Sequence, residues 1–150
     1  MRQSIVSLIE LVMRVPLSIH QLLFRLAVAG VFLRAGLLKV ASWESTVALF
    51  RDEYRVPVLR PELAAVMAST VEIGCPTLLI VGLGTRLATL PLLGMIATIQ
   101  LFVYPLAWSE HLVWASILSF LLTRGAGVIS LDHLVAATLA PATVSHAASG

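Results

Sequence analysis

Long apolar runs, and not a strict alternation of apolar and polar positions, organise this chain. With a window of about 19 residues, the length that crosses a bilayer as a helix, four runs stand out: 17–40, 63–81, 87–107 and 111–124. The last is short. His-Leu-Val-Trp-Ala-Ser-Ile-Leu-Ser-Phe-Leu-Leu-Thr reaches only ~20 Å at 1.5 Å per residue, against a hydrocarbon core of ~30 Å. It therefore either continues through Gly125–Ile129 or sits where the membrane is locally thin.

Two segments outside the runs carry helical periodicity. Ile5, Leu8, Ile9 and Val12 share one face, with Arg2, Glu10 and Arg14 off it, which predicts an interfacial helix within residues 1–16. Arg2, Arg14, Arg25 and Pro16 interrupt this end, so it does not read as a cleavable signal. Trp43, Val47, Phe50 and Tyr54 recur at i, i+4, i+7 and i+11 in the longest polar segment, which predicts an aromatic-bearing amphipathic helix on the membrane interface. Pro57 and Pro61 end it and redirect the chain. The remaining connections, 82–86 and 108–111, are short, so neighbouring helices run antiparallel. The fold expected is all-α: one membrane domain over 1–150, a four-helix up-down bundle with an interfacial helix between the first two spans and a short C-terminal helix. Residues 140–150 read as a flexible tail of small residues.

Composition turns that pattern into a location. Of 150 residues, 59% are hydrophobic and 12% charged, where a soluble domain carries about 45–50% and about 25%. Too little polar surface exists to cover a soluble fold of this size, so the lipid bilayer is the natural solvent. A net charge of +2 without a basic run excludes nucleic acid as the evident partner. Counting Lys and Arg, Arg2, Arg14, Arg25, Arg86 and Arg124 lie on the amino-terminal side and Lys39, Arg51, Arg55 and Arg60 on the other, which favours cytoplasmic termini.

The lone Cys75 excludes an internal disulfide, a CxxC redox pair and a thiolate zinc site from this chain alone. His20, His111, His133 and His146 share no i, i+3 or i, i+4 spacing, which disfavours haem and copper, and no metal site is expected. There is no nucleophile constellation, Walker loop or dinucleotide fingerprint, so the sequence leaves open whether the protein is an enzyme. Any chemistry needs a lipid-soluble cofactor or a partner that brings the reactive groups.

Polar residues inside the runs are the candidate site. Glu72 lies about midway along the second run, where a carboxylate costs several kcal/mol unless paired or hydrated. Arg25 and Arg34 flank the centre of the first run, nine residues and about 180° apart, so only one can face into the bundle. Arg34 is the expected partner of Glu72, with Gln100 of the third run completing its hydrogen bonds and Arg25 snorkelling outward; pairing with Arg25 is the alternative. Lys39 lies about 40° from Arg25 near the opposite edge. Such a pair can serve as a proton-handling pocket, or it can simply fix helix register. Gly74 and Pro76 predict a loosened helix beside Glu72. Ser130 is expected to cap a final helix whose first turn holds Asp132.

Four pieces of the chain together resemble the DoxX family of small bacterial and archaeal membrane proteins: RLAVAGVFLRAGLLKVASW (25–43), ELAAVMASTVEIGCPTLLIVGLGTRLATL (62–90), HLVWA (111–115) and GAGVISLDHL (125–134). The positions matching the shared pattern are Phe32, Gly36, Lys39, Glu72, Arg86 and Asp132. The resemblance implies a multi-pass protein of the bacterial inner membrane, associated with quinone-linked redox chemistry or oxidative and metal stress. The cofactor is left unassigned, with a quinone as one candidate, and the leading function is an accessory subunit of a quinone-linked or stress-related membrane redox system. The alternatives are a non-catalytic membrane protein that binds or transports a small molecule or metal ion, and an assembly partner of a membrane or periplasmic protein, with homo-oligomerisation also open.

Overall fold

The computed structural model describes residues 13–139. The interfacial segment expected over 1–16 and the tail 140–150 lie almost wholly outside them.

Every described element is helical. Helix α1 spans Leu17–Ala41, α2 Trp43–Leu49, α3 Pro61–Val81, α4 Thr85–Thr98, α5 Trp108–Arg124 and α6 Leu131–Leu139. Two π-helical turns extend α2 and α4, Phe50–Tyr54 and Ile99–Val103. Three helices are long and apolar enough to cross a membrane: Leu17–Ala41, Pro61–Val81 and Thr85–Val103. At 17 residues α5 is longer than the run 111–124 but shorter than each of these three spans. The membrane character of the chain is therefore visible twice, in composition and in helix length, and the exposed flanks of these helices are rich in Leu, Ile and Val.

Local chemistry sets the boundaries. Pro61 opens α3 at N1, where its missing N–H and fixed φ are no handicap. Gly82 ends it with φ 72°, and the N–H groups of Gly82 and Leu83 both reach the Leu78 carbonyl, at 2.8 and 3.0 Å. A Cβ on Gly82 would stand 2.6 Å from Ser130 Cβ and 2.7 Å from Arg25 Nη2, so no larger residue fits. Helix α3 runs through Pro76 without a break; the missing N–H leaves the Glu72 carbonyl without its i+4 donor. The third run ends earlier than expected, at Val103, because Tyr104–Ala107 turn the chain around Pro105.

Helix α1 packs on α3, α3 on α4, α4 on α5, and α5 back on α1. Val28, Ala29, Phe32, Leu79, Leu92, Ile96 and Leu118 meet along the middle of this ring, with Trp114 edge-on to Phe32 at 5.6 Å. A smaller cluster of Phe50, Ala64 and Ala65 seats α2 and its π-turn on the start of α3. The closest approach is at Gly36: a Cβ there would lie 2.8 Å from Ile73 Cγ1 and 2.9 Å from Glu72 Cβ. That contact puts Glu72 level with position 36 of α1, five residues from the end of that helix.

Candidate functional site

Two polar clusters stand at opposite ends of the helices, one holding Arg25 and the other Lys39 and Glu72. At the end where α1 begins, Arg25 is 1% exposed. Its Nε donates to the Leu79 carbonyl at 2.7 Å and its Nη2 to that of Ile80 at 2.8 Å. Its Nη1 donates to the carbonyls of Ala126 (2.9 Å) and Ile129 (2.7 Å). The carbonyls of Leu79 and Ile80 belong to the last turn of α3, where helical donors run out; a guanidinium there also suits the negative end of the helix dipole. One turn earlier Gln21 Nε2 donates to the Arg124 and Gly125 carbonyls, at 3.1 and 3.2 Å. Asp132 accepts from the backbone N–H of Gly84 (2.7 Å) and Thr85 (3.2 Å), so it caps α4 from a different helix. Ser130 Oγ accepts from the His133 N–H at 3.2 Å, the expected cap of α6. Arg86 Nη2 donates to the Thr123 carbonyl at 3.3 Å. This end is a knot of backbone-directed hydrogen bonds tying the α3–α4 turn to the α5–α6 loop.

At the other end, Lys39 Nζ donates to Glu72 Oε1 at 2.8 Å and lies equally close, 2.8 Å, to Oε2. Both side chains are largely buried, 16% and 5% exposed. The expected partners are thereby corrected. Arg34 is exposed on the outer flank of α1, and Arg25 points into the protein at the far end. The Gly36–Glu72 contact sets the rotation of α1 and brings Lys39, one turn on, over the carboxylate. Gln100 is not part of this cluster either: its Nε2 donates to the Pro105 carbonyl at 2.7 Å and its Oε1 accepts from His111 Nδ1 at 2.6 Å. That pair holds the α4–α5 turn, and His111 is buried.

The Lys39–Glu72 pair forms one wall of a cavity of about 350 Å³, bounded by the end of α1, the π-turn after α2, the first half of α3 and the end of α4. Its lining is otherwise mostly apolar: Met67, Val71, Met95 and Ile99 among others. The only two tyrosines of the chain, Tyr54 and Tyr104, also line it, with rings edge-on at 5.7 Å. Tyr104 donates its hydroxyl hydrogen bond to the Glu53 carboxylate. That bond, with some burial, holds the Tyr104 phenol well above its ordinary pKa, and burial pushes Tyr54 up as well. Both tyrosines sit in or directly after π-helical turns, which recur at functional sites. The sequence pattern placed Tyr54 only on an interfacial aromatic face; the i+4 register past Phe50 is the one signal that groups it with a cavity residue.

A family model for DoxX matches residues 20–105, more than half of the chain and all of the helices that build the cavity. The chain belongs to the DoxX family. The matched span holds both members of the Lys39–Glu72 pair, Arg25, and both tyrosines. No curated protein and no solved structure matches this DoxX chain. The expected family-pattern positions fall into four places here. Lys39 and Glu72 meet at the cavity, Gly36 allows α1 and α3 to approach, and Phe32 sits in the core. Arg86 and Asp132 belong to the knot at the opposite end.

Proposed function

We propose that this DoxX protein is an inner-membrane subunit that receives the head of a membrane quinone in the Lys39–Glu72 cavity, as an accessory part of a quinone-linked redox system. The proposal includes a four-helix up-down bundle with both termini in the cytoplasm, the helix Trp43–Leu49 on the periplasmic interface and the cavity opening toward that side. One observation carries the reading: a largely apolar cavity whose charged lining is confined to one buried ion pair. Its size is at the small end of ligand cavities, about 300–1,000 Å³. Apolar walls suit a lipid-soluble ring. Lys39 suits an oxygen acceptor, and Glu72 is placed to exchange a proton with it. A lysine ammonium in the wall argues against a metal cation as the occupant.

Protein purified in mild detergent, extracted with solvent and analysed by mass spectrometry, tests this. We expect a bound quinone in near-stoichiometric amount, lost in Glu72→Gln. Protein that retains its fold and yields no quinone, before or after incubation with one, would refute the reading. A docking role is the second reading, favoured by the loop between Arg55 and Arg60: Val58 there is fully exposed and holds φ 74°, an uncomfortable conformation for a β-branched residue. A copurifying protein lost on Val58→Gly would support it.

A further inference from the structure

One charge in the spanning helices belongs to neither polar cluster. Helix α1 buries Gln21, Arg25, Val28, Ala29, Phe32 and Gly36. Arg34 follows Arg25 by nine residues, about 180° around the helix, so it points directly away from that side. It is exposed, and it makes no hydrogen bond or ion pair with the described residues. Among the described charged residues of the three spanning helices, it alone is both exposed and more than a turn from a helix end. The same face carries Gly30, Ala27 and Leu23, at i−4, i−7 and i−11, all of them exposed. A Cβ on Gly30 would meet nothing within 4 Å. Ala27 and Gly30 thus leave a shallow furrow in which a second helix backbone can approach closely.

Lipid offers this guanidinium no counter-charge at its depth. Arg34 stands about seven residues, ~10 Å, inside the end of α1 at Ala41. The nearer interface lies past Ala41, yet every Cα–Cβ bond of a helix leans toward the N-terminus. The side chain therefore leans toward Gly30 and the membrane interior, and snorkelling runs against that lean. An arginine so placed is costly in hydrocarbon, and a paired carboxylate relieves the cost. A second copy of this chain does not supply one. The only described carboxylate more than a turn inside the spanning helices is Glu72, which is buried and paired with Lys39. Two copies meeting through this face about a two-fold axis would also oppose Arg34 to Arg34. We propose that the outward face of α1, Leu23, Ala27, Gly30 and Arg34, docks a membrane-spanning helix of a different polypeptide that carries an Asp or Glu opposite Arg34. The small residues set the approach, and the ion pair fixes depth and rotation. Lys39 lies about 140° around α1 from Arg34, so docking leaves the cavity free, whatever it holds.

The probe is a synthetic Leu/Ala transmembrane peptide with one Glu about seven residues from its end, compared with the same peptide bearing Leu there. Each is reconstituted with the full chain in phosphatidylcholine vesicles, and association is read by energy transfer between labels on peptide and protein. We expect the Glu peptide to associate about tenfold more tightly than the Leu peptide. Arg34→Met should abolish that difference without loss of fold, because the side chain faces away from the bundle. Arg34→Lys keeps the charge and should retain part of the preference. Equal association of the two peptides overturns the proposal, and so does a preference that survives Arg34→Met. A preference that vanishes when phosphatidylglycerol replaces part of the lipid assigns Arg34 to a lipid phosphate and overturns it as well. Energy transfer between two labelled copies of the protein, abolished by Arg34→Met, would make the occupant a second copy and overturn the choice of partner.

Discussion

Replacing Arg25 by Met distinguishes the structure from the expectation that Arg34 is the inward arginine. Arg25 makes four hydrogen bonds to backbone carbonyls, between 2.7 and 2.9 Å, from a side chain 1% exposed. Hydrogen bonds to charged groups contribute about 1.5–3 kcal/mol each. Four of them would sum to more than the protein can lose, but the carbonyls stand near one end of the helices, where water can replace some of the donors. A net cost of about 3–5 kcal/mol is the reasonable outcome, the range seen when one partner of a buried polar network is removed. For a chain of this size that is a fall in melting temperature of ~10 °C. Arg25→Lys keeps the charge but not the planar fork, and should recover less than half of the loss. Arg34→Met removes an exposed charge and should stay within about 0.5 kcal/mol. Thermal unfolding in one detergent, followed by tryptophan fluorescence, reads all three. If Arg34→Met costs more than Arg25→Met, the rotation assigned to α1 is wrong, and the assignment of Lys39 to Glu72 falls with it.

The ion pair itself should be strongly non-additive. Lys39→Met or Glu72→Met alone should destabilise by about 3–5 kcal/mol by stranding a buried charge, while the double variant lies within about 1 kcal/mol of the parent, which a double-mutant cycle measures. Gly36→Ala should cost about 1–3 kcal/mol by driving Glu72 and Ile73 away, whereas Gly30→Ala, with nothing within 4 Å of the new methyl, should be neutral or slightly stabilising; similar melting points for the two would contradict the close approach at position 36. Absorbance near 295 nm reports both tyrosines as they ionise. Because both phenols have raised pKa values in the folded protein, their contribution to stability is complete below about pH 10 and is lost as pH rises beyond it. Glu53→Gln should return Tyr104 toward the ordinary range, and ionisation of both near pH 10 in the folded protein would show that the contact with Glu53 does not form.

The features that depend on local physics were readable from the chain. A 59% hydrophobic composition and apolar helices of 19 to 25 residues place the helices in lipid whatever their packing, because a bilayer tests each segment nearly independently. Ser130 capping α6 and Pro61 opening α3 are decided within three or four residues. Glu72 stood out by its cost alone, since a carboxylate in an apolar run needs a partner whichever residue that is. The partner was beyond reach. Arg25, Arg34 and Lys39 lie at fixed angles around one helix, yet which of them faces inward depends on a single rotation, and that rotation is set by a glycine of α1 meeting α3. Asp132 capping a helix 48 residues away, and two tyrosines 50 residues apart lining one cavity, are likewise products of packing. Sequence alone determined which segments must be helical and apolar, because those costs are local. Only the tertiary structure decided which polar groups meet, because a helix can present any of its faces to its neighbours until close contact selects one.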